Sequence, residues 1–174
     1  LIPSLNWSQV LLINELDADT PSTDTEEFIE LKSQTPNFST DGYILVFFNG
    51  STSGGDASYM VIDLNGYSTD NNGLLVIGNA GVRPFPQGVI SDNVIQNGAD
   101  AVGIYQASVF DFPEGTVATQ VNLIDAMVYG TNDPVDTGLL SLLGETTQHN
   151  DSGTNANPRS IQRFDDGLGN ITFS

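Results

Sequence analysis

Eight short apolar runs, each bounded by turn-forming residues, constrain this chain more than any other feature. They are residues 10–16 (VLLINEL), 28–31 (FIEL), 43–48 (YILVFF), 59–64 (YMVIDL), 74–77 (LLVI), 101–105 (AVGIY), 121–129 (VNLIDAMVY) and 160–164 (SIQRF). β-Branched and aromatic residues fill them, which suits a pleated, partly buried surface. Gly, Asn, Asp, Ser and Pro fill the gaps, with Asn-Gly steps at Asn49, Asn65, Asn72 and Asn97. Each such step is a turn signal. About eight short strands at this spacing predict an all-β sandwich. One helical turn is expected over residues 137–143 (TGLLSLL), capped by Asp136. Residues 145–158 are polar and read as a long exposed loop. No apolar run approaches the roughly 20 residues of a membrane-spanning helix.

A chain of 174 residues fits one domain. Residues 1–9 and 169–174 read as arms beside a core of residues 10–168. Ile2, Leu5 and Trp7 give the first arm apolar teeth. The chain starts at Leu1 rather than Met, as after a cleavage or a trim. Four Lys and Arg against 22 Asp and Glu give a formal charge of −18. Such a surface repels phosphate backbones and anionic bilayers, so nucleic-acid binding and membrane insertion are not expected. Without Cys there is no disulfide frame, zinc finger or thiol nucleophile, and a single His149 excludes a multi-histidine metal site.

Six strings stand in a recognisable order: residues 13–31 (INELDADTPSTDTEEFIEL), 41–51 (DGYILVFFNGS), 61–79 (VIDLNGYSTDNNGLLVIGN), 96–105 (QNGADAVGIY), 122–140 (NLIDAMVYGTNDPVDTGLL) and 160–164 (SIQRF). Together they resemble the lamin-tail domain in its secreted form, over roughly residues 10–168. The resemblance implies an immunoglobulin-like β-sandwich that binds or positions and does not catalyse. The acidic charge and the lack of a rod segment set this chain apart from nuclear lamins.

Several residues are candidates for chemistry. Glu15, Asp17, Asp19, Asp24 and Glu26, with Glu27 beside them, cluster around one strand end. Ca²⁺ takes six to eight oxygen ligands, and such a strand–loop could supply them. Asp17 and Asp19 fall on one side of an extended chain. The spacing is not that of an EF-hand, and a solvated acidic loop is the plain alternative. Asp70 with Asn72, and Asp133 with Asp136, invite the same reading, although Asx turns explain them as well. Five Asn-X-Ser/Thr sequons, at Asn6, Asn37, Asn49, Asn150 and Asn170, suggest a secreted glycoprotein. A bacterial surface protein rich in Asn and Ser would show them too. His149, the sole imidazole, sits in the polar loop and there is no GxSxG elbow, so a hydrolase is not expected. Lys32 ends a strand and reads as exposed, against an isopeptide bond. Arg159 and Arg163 are expected to pair with acids.

The N-terminal arm has two possible fates: folding over its own core, or adding to the sheet edge of another copy. Head-to-tail addition that does not close yields a filament. The expectation is therefore a non-enzymatic extracellular structural or adhesion protein that associates with itself. The alternative is a calcium-dependent module that positions a larger secreted protein on a carbohydrate or surface ligand.

Overall fold

The computed structural model describes residues 10–20, 23–151, 159–165 and 171–173. These residues form an all-β sandwich of eleven strands. The strands are β1 (Leu12–Asp17), β2 (Phe28–Lys32), β3 (Tyr43–Asn49), β4 (Ala57–Asp63), β5 (Leu74–Asn79), β6 (Gly88–Ile90), β7 (Asp100–Gln106), β8 (Leu123–Gly130), β9 (Gln148–Asn150), β10 (Ile161–Asp165) and β11 (Ile171–Phe173). One sheet runs β11-β10-β1-β2-β5-β6, the other β4-β3-β7-β8-β9. β6 runs parallel to β5 and β9 parallel to β8; the other neighbours are antiparallel.

All eight expected strands are present. Three more, β6, β9 and β11, have three residues each and lie at sheet edges. Two corrections follow. The stretch 145–158 is not all loop, because β9 pairs with β8 inside it. The C-terminal arm over 169–174 is not free of the core either, because β11 pairs with β10, Arg163 opposite Phe173. The arm of residues 1–9, with Ile2, Leu5 and Trp7, lies outside the described residues.

Side-chain phase explains the layers. Leu11, just before β1, and Ile13 and Leu16 within it are all fully buried, although Ile13 and Leu16 are three apart. A bulge between Ile13 and Glu15 makes this possible by inserting one residue opposite β2, which switches the face that follows. These side chains meet Leu45, Phe47, Val102, Ile104 and Met127 between the sheets. The unbroken run of β3 has a different cause. Its other row, Ile44, Val46 and Phe48, belongs to a second core outside the five-stranded sheet, closed by Phe112, Ala118, Leu139 and Leu143. Leu139 and Leu143 come from helix α1 (Thr137–Leu143), which Asp136 caps through Gly138 N and Leu139 N.

The Asn-Gly steps use their glycines differently. Gly73 has φ +80°, and a Cβ there would sit 2.0 Å from the Ser33 carbonyl oxygen. Gly50 instead lies where a Cβ would meet Ala99 O at 2.2 Å, so it serves close backbone approach.

Candidate functional site

The topology collects acids at one end of the sandwich. β1, β3, β5 and β8 finish there, while β2, β4 and β7 begin there. The described chain enters at the opposite end, through an exposed Val10.

At the acidic end Asp17, the last residue of β1, meets Asp151, which follows β9. Asp151 is 1% exposed and accepts hydrogen bonds from Ala18 N (2.8 Å) and Asp19 N (3.1 Å). The Oδ1 atom of Asp17 is buried and has no hydrogen-bond partner among the described residues. Burial, then the charges of Asp151, Glu15, Asp19 and Asp24, push the Asp17 carboxyl up to about 8. Burial thus favours the protonated form of Asp17 at neutral pH.

The loop after β1 folds back through its own acids. Asp24 accepts from Thr20 N (2.9 Å) and Thr20 Oγ1 (3.3 Å), and its other oxygen accepts from Asn97 Nδ2 (3.0 Å). Glu27 is fully buried and accepts from Val94 N and Ile95 N, both at 3.1 Å. Desolvation raises its carboxyl to about 7 despite those donors. Asn79 Oδ1 receives Glu27 N (2.6 Å), and Asn79 Nδ2 donates to Ser91 O (2.8 Å). Both acids hold the β6–β7 connection against the start of β2.

The five carboxylates proposed for calcium therefore do not form one set. Asp17 and Asp19 lie at the strand end. Glu15 points along the sheet to Ser160 and Gln162 Nε2. Asp24 closes its own loop, and exposed Glu26 borders a cleft shared with Asp17, Arg83 and Arg159. Among the described residues no three acidic or histidine side chains converge as ligands. The sequence reading missed Asp151, because its partners at Ala18 and Asp19 lie more than 130 positions away.

A second acidic group borders a cleft of about 810 Å³ between the β3–β4, β6–β7 and β8–α1 connections. Asp100 accepts from Gly50 N (2.9 Å), and burial lifts its carboxyl to about 6. Asp133 accepts from Thr131 N and Oγ1, both at 3.0 Å, and Asp136 caps α1. Asp70 likewise accepts from Asn72 N (2.7 Å) and Leu74 N (2.9 Å). Turn and cap geometry accounts for Asp70, Asp133 and Asp136, while Asp100 ties β7 to the β3–β4 connection. Asp56 lies beside Asp136 and is raised by burial and by that neighbour.

His149 is no solvated loop residue. It lies half-buried in β9, its ring 4.7 Å from that of Phe173, and burial and Arg163 lower its pKa. Arg163 pairs with Asp125 at 2.6 Å. Lys32 is exposed at the end of β2.

Of the sequons, Asn37 and Asn150 are exposed and Asn49 is half-buried. The Nδ2 of Asn37 donates to Asn71 Oδ1 (3.0 Å), and Asn49 Oδ1 receives Ser51 N (2.8 Å). Asn6 and Asn170 lie outside the described residues. Compared with family models, curated proteins and solved structures, the chain matches none.

Proposed function

We propose that this chain is a non-enzymatic, extracellular structural or adhesion protein of lamin-tail type, which assembles into filaments through its terminal arm. The observation that carries the reading is an open sheet edge. β4 is seven residues long, ends the five-stranded sheet, and exposes part of Tyr59, Met60, Val61 and Ile62. Edges of this kind template pairing with another chain, and proteins that stay monomeric blunt them with Lys, Pro or bulges. β4 has neither Lys nor Pro, and its bulge falls at Tyr59, between the partners of Phe47 and Phe48, with residues 60–63 in regular register beyond it. The lamin-tail assignment rests on the six ordered strings, and the extracellular setting on the five sequons.

Sedimentation velocity tests the reading. The full chain is expected to sediment as a distribution of oligomers. A chain starting at Val10 keeps an edge but has no arm, so adding it in excess should shorten that distribution. A full chain that sediments as a single protomer overturns the proposal.

The buried Asp17 Oδ1 favours a second reading, a calcium-dependent binding module that positions a larger protein on a carbohydrate or surface. Asp17 and Asp151 would supply carboxylate oxygens, with backbone carbonyls and water completing the shell. Ca²⁺ at 100 times its Kd would stabilise the fold by about 2.7 kcal/mol. Tm should then rise with millimolar Ca²⁺, fall back with chelator, and not respond in Asp17→Asn. An unchanged Tm for the unmodified chain removes this reading.

A further inference from the structure

We propose that β4 is the acceptor and that residues 4–8 of a second copy's N-terminal arm add to it as a sixth strand of the five-stranded sheet. The inference rests on the self-association reading and names its contact.

Of the four edge strands, β4 has seven residues, whereas β6, β9 and β11 have three each. Among the described residues, the segment 115–117 pairs with the start of β4. Ser58 N donates to Thr116 O and Gly115 N to Ser58 O, both at 2.8 Å, and Ala57 bridges Val117. From Tyr59 to Asp63 no described strand pairs with the outer side. Met60 and Ile62 stand opposite Phe47 and Leu45 and face the core between the sheets. Val61 stands opposite Val46 and faces the second core. All three remain partly exposed, and among the described residues neither core has a further strand beyond them.

The arm carries the complementary pattern. Residues 4–8 read Ser-Leu-Asn-Trp-Ser, a strict alternation of polar and apolar. In an added strand Leu5 and Trp7 fall on one face and Ser4, Asn6 and Ser8 on the other. The apolar pair would extend the row of Met60 and Ile62. Five residues at about 3.4 Å each span about 17 Å, the length of the open part of β4. Pro3, which lacks an N–H, then stands just outside the paired segment.

Reach favours a second copy over the arm's own edge. β1 lies against β8, whose Asp125 binds Ile13 N, and β4 is three strands along from β8. Crossing three strand spacings and the gap between the sheets takes about 17 Å. In its own molecule the arm would spend roughly five residues on that path, the alternating ones, and only the segment around Pro3 would arrive. An arm from another copy has no such constraint.

Because the chain has no Cys, introduced thiols report this contact cleanly. Full-length Leu5→Cys is mixed with a size-tagged Met60→Cys or Ile62→Cys chain under mild oxidation. The control partner carries Val89→Cys on the β6 edge, where Val89 is 53% exposed. The proposal expects a mixed disulfide with the β4 thiols in large excess over the β6 control. It also expects deletion of residues 1–9 to abolish association. Mixed disulfides at β6, or none at β4, with association still lost on deletion, would overturn β4 as acceptor and leave arm-mediated assembly standing. Association that survives deletion, or a full chain that never associates, would overturn arm-mediated assembly itself.

Discussion

Asp125→Ala is expected to destabilise the fold by roughly 3–5 kcal/mol, the cost of leaving a buried charge unpaired. Asp125 sits on β8, 8% exposed. Its Oδ2 accepts from Ile13 N (2.8 Å) on β1 and Arg163 NH2 (2.6 Å) on β10. Arg163 Nε closes the triangle on Ile13 O (2.7 Å), and its guanidinium lies 4.4 Å from the Phe173 ring centre. One carboxylate thus ties one sheet to two strands of the other, and through Arg163 to β11. Alanine would strand both the cation and the Ile13 N–H in a dry setting. Asp125→Asn keeps an acceptor for Ile13 and should cost less. Urea denaturation measures both; a loss below about 1 kcal/mol for alanine would show that this triangle does not hold the sheets together.

Stability should fall as pH rises from about 5 to 8, opposite to the usual behaviour of paired carboxylates. Glu27, Asp17 and Asp100 have carboxyls raised to about 7, 8 and 6, in each case chiefly by burial. A carboxyl with a raised folded pKa keeps its proton where the unfolded chain has already lost it. Its contribution is complete below the unfolded value, near 4, and disappears as pH passes the folded value. At about 1.4 kcal/mol per pKa unit, buried Glu27 alone accounts for roughly 3 kcal/mol. Tm should then be higher at pH 5 than at pH 8 by roughly 5–10 °C. His149 works weakly in the other direction below pH 6.5, since its lowered pKa disfavours the charged ring. Glu27→Gln should flatten the profile. A Tm that climbs from pH 5 to 8 would contradict the burial argument.

The strands could be read from the sequence because their patterns are local. The YILVFF run announced a strand, and TGLLSLL after Asp136 announced a capped helical turn; both are present, and the burial of β3 on both faces emerged only with the second core. β6, β9 and β11 escaped because three residues at a sheet edge are too few to display alternation. The bulge in β1 escaped for a related reason: only its register against β2 reveals it. The acidic site was half legible. Asp17 and Asp19 share a strand end, as their spacing indicates. Nearness in sequence misled for Glu15, which the bulge leaves facing β10, and for Asp24, bound to its own loop. Asp151 and Asp100 reach the same end only through sheet topology, which no local pattern encodes. His149 looked solvated for the same reason, since its neighbour Phe173 lies on another strand.

The central claim is assembly through the arm, and the mass of the particle in solution tests it most directly. Light scattering after size exclusion, without denaturant, is run on the full chain and on the chain lacking residues 1–9. The account predicts a polydisperse mass many times that of one 18.5 kDa chain, collapsing to a single protomer on deletion. A full chain at the mass of one protomer, glycosylated or not, would contradict it.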